Sequence, residues 1–217
     1  MANYFVRELE LNNCSLEIYQ QLEGDVGCVV WDAAITLAKY IDLQQSKGQM
    51  QWKGMNVIEL GAGTGIVGLA AATLGLFSFR ANVTITDLPE FIPLMEKNIS
   101  LNTKSFKEAK ITAKKLKWGE DLENFTSTYD VILMADLIYY KESIEPLIQT
   151  MVGLSSKGTK ILMSHEERTT GNKQELERQF FELAKEHFEI KKILLEEQDS
   201  VYSSEDIYIH EMERKCK

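Results

Sequence analysis

The chain has 217 residues, of which 44% are hydrophobic, and this suits one globular domain with a sizeable core. Its 33 carboxylates outnumber its 24 lysines and arginines, which gives a net charge of −9 at pH 7. This acidic balance argues against general affinity for a nucleic acid backbone. No apolar run approaches the length that spans a bilayer, so we expect no membrane partner either.

The cysteines and histidines of the sequence are widely separated. Their spacing does not match a metal site, so we predict no metal and reduced thiols at Cys14, Cys28 and Cys216. The first ten residues lack the basic-then-apolar order of a secretory signal. We therefore expect a cytoplasmic protein, with nuclear residence left open.

The N-terminal segment predicts a β-hairpin. Apolar and polar side chains alternate over residues 5–11 and 15–19, and the two asparagines between them tolerate the positive φ of a tight turn. Hydrophobic residues then recur at helical spacing over residues 29–41, which predicts a helix. The polar residues 44–53 predict a connection.

From residue 55 onward, short apolar strands alternate with helical segments. The predicted strands are VIEL, VTIT, ITAKKL, VILMA and KILMS, and the predicted helices lie at residues 66–74, 90–101, 142–154 and 174–187. Alternation of this kind is typical of a parallel sheet covered by helices on both faces. Two further β-like runs, at residues 188–195 and 207–212, predict an antiparallel addition at the end.

These elements predict a Rossmann-like α/β fold with a seven-stranded, mostly parallel sheet and an antiparallel C-terminal strand. We expect a single domain over residues 1–217. In it, residues 1–23 form the hairpin extension and residues 24–217 form the core.

A glycine-rich turn, GAGTG at residues 61–65, follows the VIEL strand. Glycines there allow backbone N–H groups to approach a ligand closely. A P-loop is excluded because no Gly-Lys-Ser/Thr follows, and the dinucleotide fingerprint is incomplete because Ile66 stands where its third glycine belongs.

Asp87 ends the second predicted strand and is expected at the same edge of the sheet as the turn. A carboxylate there can accept hydrogen bonds from both hydroxyls of a ribose. The alternative is a tight strand-to-helix turn, with Asp87 as the N-cap of a helix that begins near Pro89. The turn and the acid together, in one strand-turn-helix-strand unit, favour a nucleoside site.

The sequence ELGAGTG, followed later by TDL, resembles the S-adenosylmethionine motif of seven-β-strand methyltransferases. The resemblance implies that the turn takes the amino-acid end of the cofactor, that Asp87 takes the ribose and that Glu59 supports the turn.

Further motifs, VVWDAA, LKWGE, MADLIYY and SEDI, resemble the methyltransferase-like protein-lysine methyltransferases that carry a D-x-x-Y motif. The resemblance covers about residues 5–212 and is closest to the member that acts on valosin-containing protein, a hexameric AAA ATPase. It implies methylation of a protein lysine, with valosin-containing protein as the substrate and Asp136 and Tyr139 as catalytic residues. We expect a monomer. The cofactor residues that the resemblance implies are Trp31, Glu59, Gly61, Ala62, Gly63, Asp87, Leu88, Trp118, Ala135 and Tyr140.

Structural alternatives exist for several of these residues. Trp31 and Trp118 would otherwise be core residues, Asp136 would be a helix N-cap, and Tyr139 would be a wall of the core. Asp136 follows a buried strand, however, and must therefore reach the carboxyl edge of the sheet, where ligands of such sheets bind.

The D-L-I-Y corner suits an ammonium better than a planar amide, for which N-P-P-Y is typical. Our hypothesis is that Asp136 captures and orients the lysine and that Tyr139 completes the hydrogen bonding. Because a carboxylate stabilises an ammonium, the lysine pKa must be lowered by the approaching sulfonium and the loss of water. We expect His165 on a surface loop, and Arg168 and Glu166 in an architectural pair.

Three alternative functions remain open at this point. The chain could methylate a different protein or a small amine, could be a nicotinamide-dependent oxidoreductase on a similar sheet, or could bind the cofactor without turnover.

Overall fold

The structure, a computed structural model, describes residues 4–74, 81–106, 109–125 and 129–215, so that Cys216 lies outside the described part. The strands are β1 (Tyr4–Leu11), β2 (Cys14–Gln21), β3 (Asn56–Leu60), β4 (Asn82–Asp87), β5 (Lys110–Lys115), β6 (Val131–Ala135), β7 (Lys160–Glu166), β8 (Phe188–Lys192) and β9 (Ile207–Arg214). The helices are α1 (Asp32–Ser46), α2 (Ile66–Thr73), α3 (Ile92–Leu101), α4 (Thr103–Phe106), α5 (Lys141–Leu154) and α6 (Lys173–His187).

The main sheet has seven strands in the order β5-β4-β3-β6-β7-β9-β8. All its pairs are parallel except those of β9, which runs antiparallel to β7 and β8. Strands β1 and β2 form a separate antiparallel hairpin. The predicted α/β fold is therefore confirmed. The strand order reverses between β3 and β6, and such a switch point is where open α/β sheets bind ligands at their carboxyl ends.

Helices cover both faces of the sheet because successive side chains of each buried strand point to opposite faces. Val57 and Val131 belong to a core cluster shared with α1, α2 and the hairpin. Ile58 and Ile132, one position further along, belong to a second cluster shared with α5 and α6. Among the described residues, no helix is both long and apolar enough to cross a membrane.

Two buried asparagines, Asn98 in α3 and Asn102 directly after it, attach the hairpin to the domain. The Asn102 side chain accepts from the Glu17 N–H at 2.9 Å and donates to its carbonyl at 2.8 Å. The Asn98 side chain does the same with Tyr19, at 2.7 and 3.1 Å, and also donates to the Thr64 carbonyl at 2.9 Å. These amides replace the backbone partner that the edge of β2 lacks, and they connect the hairpin to the glycine turn.

The bounds of the first helix differ from the prediction. Residues 29–31 are extended and α1 begins at Asp32, although Val30 is buried as a helical residue would be. At the other end, α1 continues to Ser46, into the segment that we predicted as a connection. Gln44 is buried there, and its amide donates to the Glu197 carbonyl at 3.3 Å. This long-range contact favours the helix over the polar loop that local composition indicates.

Candidate active site

A cavity of about 380 Å³ lies at the carboxyl ends of the central strands. A cavity of this volume is of the size that holds a small ligand. All of the residues that we predicted for the cofactor or for catalysis line it, namely Trp31, Glu59, Gly61, Ala62, Gly63, Asp87, Leu88, Trp118, Ala135, Asp136, Tyr139 and Tyr140.

The glycine turn has a backbone that only glycine adopts without strain. Gly61 and Gly63 have φ of 60° and 53°, in the left-handed region. A Cβ atom on Gly63 would lie 2.7 Å from the carbonyl oxygen of Gly27, which belongs to the loop before α1. The turn therefore leaves no room for a side chain on its loop-facing side.

Asp87 binds the turn directly. Its Oδ2 accepts from the Gly63 N–H at 2.7 Å, and its Oδ1 accepts from the Leu88 N–H at 2.7 Å. The alternative prediction of a helix N-cap is wrong, because α3 begins at Ile92 and no side chain caps the short turn before it. Burial raises the pKa of Asp87 to about 6, against the lowering effect of the two hydrogen bonds.

Glu59 lies behind the turn. Its Oε2 accepts from the Gly68 N–H in the first turn of α2, at 2.8 Å. Burial raises the pKa of this carboxyl to about 8, so the acid is largely neutral at pH 7. A neutral acid bonded to the helix backbone suits the supporting role that we predicted for Glu59.

We predict that the raised pKa of Asp87 makes cofactor binding pH-dependent. A protonated Asp87 cannot accept from both ribose hydroxyls, so the affinity for S-adenosylhomocysteine should be about tenfold weaker at pH 5 than at pH 7. Calorimetric titration measures this change. Over the same interval the ligand's ammonium group stays charged and Glu59 stays mainly neutral.

Weaker binding at pH 5 would not arise from acid unfolding caused by protonation of Asp87. A carboxyl whose pKa is raised in the folded state contributes most stability below its unfolded pKa, and that contribution is lost as the pH rises from about 4 to about 6. Asp87→Asn should bind more weakly at both pH values and show a smaller difference between them. An equal pH dependence in the variant would contradict the assignment.

The two tryptophans line the cavity in different ways. Trp31 is 36% exposed, and its Nε1 donates to the Val26 carbonyl at 2.8 Å. The alternative of a core residue is therefore wrong for Trp31. Trp118 lines the cavity and also packs against the second core cluster, so its contact with the cofactor stays a prediction.

Asp136 has an unusual backbone and a buried carboxylate. It follows β6 with φ of 58°, and its N–H donates to the Ser164 carbonyl at 2.8 Å. The side chain is 3% exposed, and the Arg168 guanidinium binds it with both terminal nitrogens, at 2.8 and 2.6 Å. Asp136 does not cap α5, whose N-cap position is held by Tyr140. A non-glycine residue held at positive φ is common at functional sites.

Tyr139 stands beside this carboxylate at the wall of the cavity. Burial, together with the nearby Asp136, raises the pKa of the Tyr139 hydroxyl, which therefore stays protonated and remains a hydrogen-bond donor. Its backbone carbonyl accepts from the Lys173 ammonium at 2.9 Å. The ring lies 6.4 Å from the ring of Trp31.

Sequence reasoning missed two features of this corner. Arg168 pairs with Glu166 as predicted, at 2.7 Å, but its bidentate partner is Asp136. His165 is not on a surface loop, because it lies buried in β7 with Nε2 3.2 Å from a Glu177 oxygen. The β6–β7 register, which brings Asp136 close to Glu166, is not visible in either strand alone.

The residues of the cavity fit S-adenosylmethionine. The glycine turn lets backbone N–H groups approach the amino-acid end of the cofactor without forming a phosphate-binding loop. The Asp87 carboxylate, bonded to this turn, suits the ribose hydroxyls, and its contact with them stays a prediction. Within the part of the chain that the structure describes, no group of three or more His, Cys, Asp or Glu residues could hold a metal ion.

Comparisons with known proteins agree with this fit. A family model described as lysine methyltransferase matches residues 10–187. The chain is 38% identical over 191 residues to the protein N-lysine methyltransferase METTL21A of Xenopus tropicalis, covering 88% of this chain and 82% of the relative. It is 39% identical over 155 residues to EEF1A lysine methyltransferase 3 of the same species, covering 70% and 64%.

Solved structures share the fold at low identity. The 16S rRNA N2 G1207 methyltransferase RsmC of T. thermophilus, solved with AdoMet and guanosine, has a TM-score of 0.66 and 13% identity, covering 99% of this chain and 52% of that one. A TehB-like SAM-dependent methyltransferase from Corynebacterium glutamicum has a TM-score of 0.54 and 15% identity, covering 87% and 90%. The chain is thus an S-adenosylmethionine-dependent enzyme that belongs to the lysine methyltransferase family.

Proposed function

We propose that this enzyme methylates a lysine ε-amine of another protein at the corner formed by Asp136 and Tyr139. The observation that carries the proposal is that Asp136 and Tyr139 line the same cavity as the glycine turn and Asp87. Family membership leaves no ground for the nicotinamide-dependent oxidoreductase that the sequence alone left open.

Bound S-adenosylmethionine supplies an electrophilic methyl group on a sulfonium. The protein has to hold a neutral amine in line with it, and such alignment can contribute about 7–11 kcal/mol. A lysine with a pKa of about 10.4 lies about three units from deprotonation at pH 7.4, which corresponds to roughly 4 kcal/mol. The site must therefore both orient the amine and favour its neutral form.

Asp136 and Tyr139 supply the orientation. A carboxylate offers about four acceptor positions. In Asp136 the Arg168 guanidinium uses two of them, the Glu166 N–H approaches a third at 3.4 Å, and the Tyr139 hydroxyl also hydrogen-bonds to this carboxylate. A substrate amine on the cavity side therefore takes the acceptor position that the Tyr139 hydroxyl holds in the free enzyme. The aromatic rings of Tyr139 and Trp31 border this position and suit the aliphatic stem of a lysine.

The substrate protein is the finer part of the proposal. The resemblance of the D-x-x-Y motifs supports valosin-containing protein, whereas one of the relatives above carries EEF1A in its name. We propose valosin-containing protein as the first substrate to test and EEF1A as the second.

The test is incubation of the purified enzyme with each recombinant protein and methyl-labelled S-adenosylmethionine, followed by mass spectrometry of the labelled peptide. Labelling of a lysine in valosin-containing protein supports the full proposal. Labelling of EEF1A, or of another protein in a cell lysate, keeps the chemistry and contradicts the substrate. Labelling only of small amines, or no labelling despite cofactor binding, contradicts protein methylation.

A further inference from the structure

Arg168 lies behind Asp136, on the side away from the main cavity. A small crevice there is lined by both Asp136 and Arg168, whereas Arg168 does not line the main cavity. Asp136 therefore lies between two environments: it lines the cavity proposed for the substrate amine, and its carboxylate binds the guanidinium of Arg168.

The pairing of Arg168 is tight and charge-assisted. Nη1 lies 2.8 Å from Oδ1 of Asp136, Nη2 lies 2.6 Å from Oδ2, and Nη2 also lies 2.7 Å from Oε2 of Glu166. The hydrogen bond to Asp136 raises the pKa of Arg168, so the guanidinium stays charged. It lies 5.6 Å from the ring centres of both Trp31 and Tyr139, which border the same corner.

This pairing bears on the protonation of the substrate. An unpaired carboxylate beside a lysine stabilises the ammonium and raises its pKa, typically by about one to three units. Such a site would bind the lysine well but would hold it in the form that cannot attack. A carboxylate that already neutralises a guanidinium keeps its acceptor position on the cavity side with much less effect on the amine.

We propose that Arg168 is a positioning residue that neutralises Asp136 from behind, so that the lysine bound at Asp136 loses its proton to solvent before its nitrogen lone pair attacks. The inference rests on the proposed function, because it concerns the same lysine. Asp136 then orients the amine without stabilising its ammonium form.

Other charged groups lie around this corner and set the background of any pH dependence. The crevice contributes His165, Glu166, Lys173 and Glu177, and the main cavity contributes Asp25, Glu59, Asp87, Lys117 and Glu142. Arg168→Gln leaves all of them in place, so a change in the pH profile reports the missing guanidinium.

The experiment measures kcat against pH at saturating substrate, with the protein that the wild-type enzyme labels. The kcat profile reports pKa values in the enzyme–substrate complex. In Arg168→Gln, the apparent pKa of the rising limb should increase by about one unit, so that kcat falls about tenfold at pH 7.5 and approaches the wild-type value at high pH. Arg168→Lys should keep the wild-type pKa, because it keeps the charge.

Glu166→Gln tests the inference independently of the stability of the Arg168 variants. Removing this competing carboxylate lowers the negative charge at the corner, so the apparent pKa should move in the opposite direction, downward. The matched control is Arg178→Gln, because Arg178 is an arginine on the exposed face of α6 that pairs with Glu175 and Glu182. This control should leave the profile unchanged.

Two kinetic results would overturn the inference. One is an Arg168→Gln enzyme whose kcat falls by the same factor at every pH. The other is a Glu166→Gln profile whose apparent pKa shifts upward or stays in place.

The affinity for S-adenosylhomocysteine, measured by calorimetry, should stay within about twofold of wild type in every variant, since no variant alters a residue that lines the cofactor end of the cavity. Loss of that affinity in Arg168→Gln would assign Arg168 a structural role instead. A wild-type enzyme that labels no protein contradicts the proposed function and is recognised before any variant is compared.

Discussion

Replacing Asp136 with asparagine should lower methyl transfer by at least about 100-fold while changing the affinity for S-adenosylmethionine by less than about twofold. The variant keeps the size of the side chain but loses the charge that fixes both Arg168 and the substrate amine. The measurements are the single-turnover rate with labelled cofactor and the dissociation constant from calorimetry. Loss of rate and cofactor affinity by equal factors would make Asp136 a cofactor or folding residue.

Asparagine is suited to this position because it tolerates the left-handed backbone that Asp136 adopts at φ of 58°. The change leaves Arg168 with one carboxylate partner, Glu166, at a guanidinium that is about one-fifth exposed. We therefore expect a loss of about 2 kcal/mol of unfolding free energy, less than for a fully buried pair. The protein should still fold, so that activity can be compared.

Asp121 provides the matched control. Among the described residues, it is the other non-glycine residue with positive φ, at 53°, and it is exposed. Asp121→Asn repeats the chemical change and the backbone requirement away from the cavity. It should leave both the rate and the cofactor affinity unchanged. A large loss of rate in Asp121→Asn would show that the substitution itself, and not the position of Asp136, causes the effect.

Much of the fold follows from local sequence, because the apolar strands and the helices between them alternate without long interruptions. The start of α1 does not follow from local sequence. Residues 29–31 continue the helical apolar spacing, yet they are extended because the Val30 N–H donates to the Gln20 side chain at 2.7 Å. A partner ten residues earlier in the chain is outside the window in which hydrophobic periodicity is read.

The site was predictable to a similar extent and for a related reason. Parallel strands bring their carboxyl ends to one edge, so Gly61, Asp87 and Asp136 were expected to meet there, and they line one cavity. The pairing of Asp136 with Arg168 depends on how far the chain extends past β6 and β7, and on the left-handed backbone of Asp136. Local sequence patterns indicate neither of these features. They therefore predicted Asp136 as a site residue but not its pairing with Arg168.

Gly63→Ala should weaken the binding of S-adenosylhomocysteine by at least about tenfold and lower the free energy of unfolding by about 3 kcal/mol. Part of the loss comes from the left-handed backbone, with φ of 53°. The rest comes from the added Cβ atom, which would lie 2.7 Å from the Gly27 carbonyl oxygen and 3.2 Å from its Cα. Because these atoms are backbone, they cannot move aside by changing a rotamer. The turn or the loop before α1 must shift, and both line the cavity.

Gly48→Ala separates the two contributions. Gly48 also has a left-handed backbone, with φ of 67°, but a Cβ atom there meets nothing within 4 Å. The control should therefore lose only about 1 kcal/mol of unfolding free energy, and its affinity for S-adenosylhomocysteine should equal that of the wild type. Thermal unfolding and calorimetry on the two variants measure the difference. Two outcomes together would contradict this prediction: equal losses of stability in the two alanine variants, and full affinity for S-adenosylhomocysteine in Gly63→Ala. They would show that the close approach of Gly27 to the turn does not shape the cofactor site.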